Sequence, residues 1–258
     1  AIALGLEPPE KNIMKRKPIS SKKSIFSDGL WTKIIVEGIM IGMLTLVAFS
    51  IGNKYYGIEK QKIEVVFSAV ADKFHIEEDE KLKRHKYFLA VSSLNYRKNF
   101  LSVLQAFDIF EKKCSDVSLY IIGDLDNSNF KNVDTSRYHN DHRIKFLGRV
   151  SDDNLVKYYS NALAFLFPSI YEGFGLPPLE AQTCGCPVLV SDIPPHHEVV
   201  DDSGFFCNPY KPEEMANAML EIGQYSEELK RKGFKNIKRF SFKKSAQQIY
   251  NIILDCSK

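Results

Sequence analysis

Two stretches of this 258-residue sequence carry side chains suited to holding an anion. The first is Ser92-Ser93-Leu94-Asn95-Tyr96-Arg97-Lys98-Asn99. Arg97 offers a planar fork of donors and Lys98 a compact point charge, and both suit phosphate oxygens. Taken alone, the pair reads more readily as two solvated charges ahead of a helix, and the second stretch shifts that balance. The second stretch is Pro168-Ser169-Ile170-Tyr171-Glu172-Gly173-Phe174-Gly175-Leu176-Pro177-Pro178-Leu179-Glu180-Ala181. Gly173 and Gly175 let backbone amides turn inward at close range. Pro177 and Pro178 suit a first helical turn, and a helix N-terminus is itself an anion site. Glu172 and Glu180 stand eight residues apart. A carboxylate beside phosphates is repelled by them and needs another partner. A ribose diol is one, since one carboxylate accepts from two adjacent hydroxyls.

Other clusters carry less. Cys184-Gly185-Cys186 lacks zinc spacing and suits a buried helix end. His139, His142, Asp141 and Asp126 could be imagined around a metal, but a solvated polar loop accounts for them better. His196-His197 ahead of Glu198 is expected at the surface. Five cysteines, an odd count without paired spacing, fit a reducing compartment rather than a disulfide framework.

The elements that position these residues follow from the hydrophobic pattern. Ile63–Phe67, Tyr87–Val91, Ser118–Gly123, Ile144–Gly148, Leu163–Phe167, Pro187–Val190 and Phe205–Phe206 are expected as strands. Helices are expected over Phe100–Phe110, after a Ser151 cap, over Leu179–Thr183, Met215–Ile222 and Glu227–Phe234, and over Phe242–Leu254. Asp124 to His142 is expected as a polar loop. Strands alternating with helices predict an α/β fold with a doubly wound parallel sheet. Both anion-suited stretches then follow strands, where such sheets bind ligands.

Composition shows a seam. The chain has 35 Lys plus Arg and 32 Asp plus Glu, a net charge of +3, with 44% hydrophobic residues. These values exclude wholesale disorder and give no argument for nucleic acid. Residues 1–52 contain seven basic and four acidic residues, the whole net charge. Residues 1–29 form a basic N-terminal segment. Residues 30–52 are expected as a transmembrane helix, since Ile34 to Ile51 is apolar or small except for Glu37, Thr45 and Ser50. Gly38 and Gly42 form a G-x-x-x-G pair suited to close helix approach. A secretory signal fits badly, because the run is too long and starts too late.

Two resemblances follow. Ala3-Leu4-Gly5-Leu6-Glu7-Pro8-Pro9-Glu10-Lys11-Asn12-Ile13-Met14-Lys15-Arg16, then Gly29-Leu30-Trp31 and the Gly38/Gly42 helix, resemble a loop and membrane helix of P-type cation-transporting ATPases. No Asp-Lys-Thr-Gly phosphorylation sequence occurs, so the match implies descent of this piece and not pumping. Residues 53–258 resemble the C-terminal, donor-binding half of a GT-B fold, family 4 retaining glycosyltransferase, a Rossmann-like domain. Arg97-Lys98-Asn99 resembles its phosphate-binding turn, Phe146 to Ser151 the turn beside the nucleotide base, and Glu172 to Glu180 its E-x(7)-E motif. The family's Gly after the first buried strand reads Ser92 here, and its Asn-Gly-Val reads Ser68-Ala69-Val70.

This second resemblance implies transfer of a sugar from a UDP- or GDP-sugar with retention, to a glycan, lipid or protein acceptor. It implies donor binding by Arg97, Lys98, Val150, Glu172, Gly173, Phe174, Gly175, Leu176 and Glu180, with Lys98 and Glu172 catalytic. Glu180 would hold the ribose and Glu172 the sugar. No cofactor or metal is required, because protein cations replace it. Such enzymes bind the acceptor in a preceding domain, whereas about 50 ATPase-like residues stand there. The junction near Gly52 and Asn53 therefore resembles a fusion, with turnover expected to need a separate acceptor domain. The alternatives are a cation-transporting ATPase fragment and a non-catalytic nucleotide-sugar binding module. Membrane association is expected through residues 34–51, and the donor domain alone would be cytoplasmic.

Overall fold

The computed structural model describes residues 64–91, 96–123 and 136–256. The expected transmembrane helix, the junction near Gly52, Ser92–Asn95 and Asp126 lie outside them. Among the described residues no helix is long and apolar enough to cross a membrane.

Six strands, β1 (Lys86–Val91), β2 (Val117–Ile122), β3 (Ile144–Gly148), β4 (Ala164–Phe167), β5 (Val188–Ser191) and β6 (Phe205–Cys207), form one sheet. Its order is β3-β2-β1-β4-β5-β6 and every pairing is parallel. Strand β1 pairs with β2 from Lys86↔Val117 to Val91↔Ile122. On its other side Phe88 faces Ala164 and Leu89 faces Phe165 of β4. The chain therefore winds outward from β1 to β3, returns to the centre, and winds the other way. The reversal opens a crevice at the carboxyl ends of β1 and β4.

Both faces of the sheet are covered, which is why the strands are continuous apolar runs. Phe88, Ala90, Leu119, Ile121 and Leu166 point to one face, into a cluster with Phe100, Leu104, Phe107, Met215 and Met219. These come from α1 (Phe100–Phe110) and α6 (Pro212–Glu221). Tyr87, Leu89, Tyr120, Phe165, Phe167 and Val190 point to the other face, with Val156, Tyr159 and Ala181. Those three belong to α3 (Asp152–Asn161) and α4 (Leu176–Thr183). Ser151 caps α3 as expected, its side chain accepting from the Asn154 amide at 3.4 Å.

The remaining helices are α2 (Ser136–His139), α5 (Pro194–Val200), α7 (Ser226–Asn236) and α8 (Phe242–Cys256). Three expectations need correction. Residues 64–67 are not a strand. Ser245 Oγ donates to the Phe67 carbonyl at 2.6 Å and Gln248 Nε2 to that of Val65 at 3.0 Å, so α8 takes carbonyls that a strand partner would need. The polar loop before β3 contains α2. Helix α4 starts at Leu176 rather than Leu179, because prolines at its first positions need no amide partner.

Candidate functional site

Lys98 closes the turn Tyr96–Lys98 beyond β1. Asn99 follows with φ +54°, a left-handed conformation that asparagine tolerates. Its side-chain amide donates to the carbonyls of Pro168 (3.1 Å) and Pro209 (2.5 Å), and its Oδ1 accepts from Ser102 Oγ at 2.7 Å. The Ile170 amide donates to the Arg97 carbonyl at 2.8 Å. The turn after β1 is thus tied to the loop after β4. Arg97 itself is exposed.

That loop carries Glu172. Lys98 Nζ donates to Glu172 Oε1 at 2.8 Å, with the side chains only 17% and 9% exposed. The ammonium also stands 4.4 Å from the centre of the Phe167 ring. Glu172 leads into Gly173-Phe174-Gly175, and Gly175 takes φ +97° at the start of α4. Among the described residues the amides of Gly173, Phe174, Gly175 and Leu176 donate to no backbone carbonyl outside helices and strands, as expected at a helix start. The Phe174 ring turns inward against Phe67 and Phe240, at 5.9 and 5.6 Å between centroids. These contacts anchor the turn.

Glu180 lies further along α4, on the side of α3. Burial raises its carboxyl above the ordinary glutamate range, and the Lys73 charge opposes the shift. Lys73 itself is bound to Asp152 at 2.5 Å. The buried Tyr159 hydroxyl lies near Glu180 without closing a well-aligned hydrogen bond. Val150, just ahead of the Ser151 cap, packs at the edge of the same cluster as Tyr159. The sequence-selected residues thus fall in two groups. Arg97, Lys98 and Glu172 sit in the two joined loops at the switch point. Gly173 to Leu176 lead from them along α4 to Glu180, on the side of Val150.

His196 was expected at the surface and is fully buried. Its Nδ1 lies 2.9 Å from the Ser191 carbonyl, and its ring 5.6 Å from that of Phe167. Apolar neighbours on both sides of it, Pro194-Pro195 and Val199-Val200, are the sequence signal for that burial. His197 does face solvent, stacked on Phe206 and 2.5 Å from Asp192. His139 stacks on Phe146, and the Asp141 carboxylate accepts from the Arg143 amide. No group of three or more His, Cys, Asp or Glu among the described residues is placed to hold a metal. Burial pushes the thiols of Cys184 and Cys186 up, so both stay protonated.

A doubly wound parallel sheet with a cationic turn, a carboxylate and a glycine turn opening a helix at its switch point is an arrangement of the GT-B type. The chain belongs to the family Glycosyl transferases group 1, whose sequence model matches residues 72–239. A second model, Cation transporting ATPase, C-terminus, matches residues 1–107. The O-antigen chain mannosyltransferase RfbU of Salmonella typhimurium is 31% identical over 199 residues, 77% of this chain and 54% of that protein. O-antigen chain mannosyltransferase B of Escherichia coli is 37% identical over 111 residues, 42% of this chain and 29% of that protein. The chain thus spans about half or less of these relatives. Anabaena Alr3699/HepE, solved with UDP-glucose, aligns with a TM-score of 0.61 at 18% identity, covering 74% of this chain and 57% of that one.

Proposed function

We propose that this chain binds a nucleoside diphosphate sugar and supplies the donor side of a retaining glycosyl transfer. The observation that carries this is the Lys98–Glu172 pair beside the glycine turn that opens α4, at the β1/β4 switch point. As the sugar leaves, negative charge grows on the diphosphate. Lys98, Arg97 and the amides of Gly173, Phe174, Gly175 and Leu176 are the groups to stabilise it, which lowers the barrier. In this scheme protein cations do what a metal would do. Glu172 serves the donor sugar, Glu180 the ribose, and Val150 the base. The acceptor is a glycan, lipid or protein. The names of the relatives favour a mannosyl donor, and the UDP-glucose complex of the structural neighbour supports a nucleotide sugar.

The test is calorimetric titration of the full chain with GDP, UDP and pyrophosphate. A Kd of about 0.1–1 mM, or about −5.5 to −4 kcal/mol, is expected. Absence of binding by every nucleotide would overturn the proposal.

Residues 1–52 are proposed to be a piece related to P-type ATPases, supported by the match over residues 1–107. The overlap of the two family matches, residues 72–107, contains β1 and most of α1. There the parallel pairing of β1 with β2 and β4 favours the glycosyltransferase assignment. Ile34–Ile51 is proposed to hold the chain at a membrane, with the donor domain cytoplasmic when separated from it. Flotation of the full chain with lipid vesicles, compared with a chain starting at Asn53, tests this. Equal flotation of both would count against the span.

A further inference from the structure

We infer that His196 is the proton acceptor of this site. When a donor's diphosphate draws Lys98 away from Glu172, His196 Nε2 takes a proton from solvent, and the imidazolium replaces Lys98 as the partner of Glu172. The inference rests on the donor-binding function proposed above.

The tautomer follows from the hydrogen bonds. Ser191 Oγ gives its one hydrogen to the Ser169 carbonyl. It can therefore only accept from His196 Nδ1, 3.0 Å away, and the Ser191 carbonyl at 2.9 Å can only accept as well. Nδ1 carries the proton and Nε2 is a bare lone pair. The whole residue is withdrawn from water, and Nε2 has no hydrogen-bond partner. An orphaned acceptor in a native interior calls for an explanation.

Its position supplies one. Nε2 looks onto Gly175, where a Cβ would stand 3.7 Å from it. The His196 ring packs 5.6 Å from Phe167, the ring that also carries the Lys98 ammonium at 4.4 Å. Glu172 on the β4–α4 loop favours a charged imidazole, while Lys98 on the β1–α1 turn and His197 on α5 oppose it. His197 is itself paired with Asp192. Burial is the largest influence and keeps His196 neutral while the site is empty. In that state Lys98 and Glu172 cancel. An entering diphosphate competes for Lys98 and leaves a buried carboxylate without its cation, which is strongly unfavourable. A proton on Nε2 restores the balance, turning the orphaned acceptor into a donor.

The experiment is calorimetry of the full chain with GDP-mannose and UDP-glucose, in buffers of different ionisation enthalpy at neutral pH. The diphosphate of these ligands is esterified at both ends and takes no proton in that range. Wild type should take up about one proton per ligand bound, and its affinity should fall up to about ten-fold per pH unit on the alkaline side. His196→Asn retains a donor for the Ser191 carbonyl but lacks Nε2, and should bind without proton uptake. Glu172→Gln leaves no carboxylate to neutralise and should abolish uptake too. Uptake in His196→Asn equal to wild type, or wild-type binding with no proton exchange, would overturn the inference and leave donor binding standing. No binding of either ligand by wild type would overturn both. Should His196→Asn fail to fold, imidazole 15N spectra of wild type decide the matter. Nε2 should change from bare to protonated on adding ligand, and an unchanged Nε2 overturns the inference.

Discussion

Lys98 and Glu172 are 74 residues apart in the chain and 2.8 Å apart in space, joined across the two loops that meet between β1 and β4. The pair holds a cation inside the domain, where the β1–α1 turn meets the β4–α4 loop. Its Coulomb attraction works against the cost of taking two charges out of water.

Lys98→Met should therefore destabilise the domain by about 2–4 kcal/mol, because Glu172 loses its ammonium partner and can regain a cation only at the cost of protonating the buried His196. Adding Glu172→Gln should recover most of that loss. Urea denaturation measures both. Nucleoside diphosphate binding should fall about ten- to hundred-fold in the single variant, as expected for a lost charge-assisted bond. It should stay weak in the double variant. A double variant no more stable than Lys98→Met would show that the pair is not what holds these loops.

Glu180→Ala should weaken binding of ribose-bearing ligands and leave pyrophosphate unaffected. Equal losses for both would remove the ribose role. Glu180→Gln carries a pH signature as well. Burial raises the folded carboxyl, so ionised Glu180 opposes folding. The variant should be more stable than wild type at neutral pH. That gain should fade as pH falls through the folded value toward the ordinary 4.5, where both states are protonated. Chemical denaturation at several pH values reads the difference.

Gly175 and Gly173 should respond differently to a methyl group. Gly175 sits at φ +97°, where alanine is strained whatever the space around it. Gly175→Ala should cost about 1–3 kcal/mol of stability and displace the amides at the start of α4. Gly173 has open space and no left-handed backbone, so Gly173→Ala should stay within about 0.5 kcal/mol of wild type. Thermal unfolding compares them, and equal costs would contradict the backbone argument.

Asn99→Ala loses two bonds to carbonyls and forces alanine into a left-handed conformation, so about 2–3 kcal/mol should be lost. Asn99→Gly removes the bonds and keeps the conformation, and should fall between alanine and wild type. Glycine no better than alanine would mean that the bonds, and not φ, decide.

The sequence by itself determined the alternation of strands and helices, and with it the parallel sheet, since apolar runs of strand length and helical spacing depend on near neighbours alone. Phe100–Phe110 matches its expected ends, and the Ser151 cap forms. The glycine turn between Glu172 and the helix that carries Glu180 was legible because tight turns and helix starts leave local marks. Tertiary structure decided the rest. Ile63 to Phe67 has strand composition, yet the Val65 and Phe67 carbonyls go to Gln248 and Ser245, about 180 residues away. His196 and His197 are adjacent, and helix α5 turns one into the interior and the other to solvent. The union of Lys98 with Glu172 needs strand β4 to return beside β1. Each depends on contacts between residues distant in the chain, which local patterning does not encode.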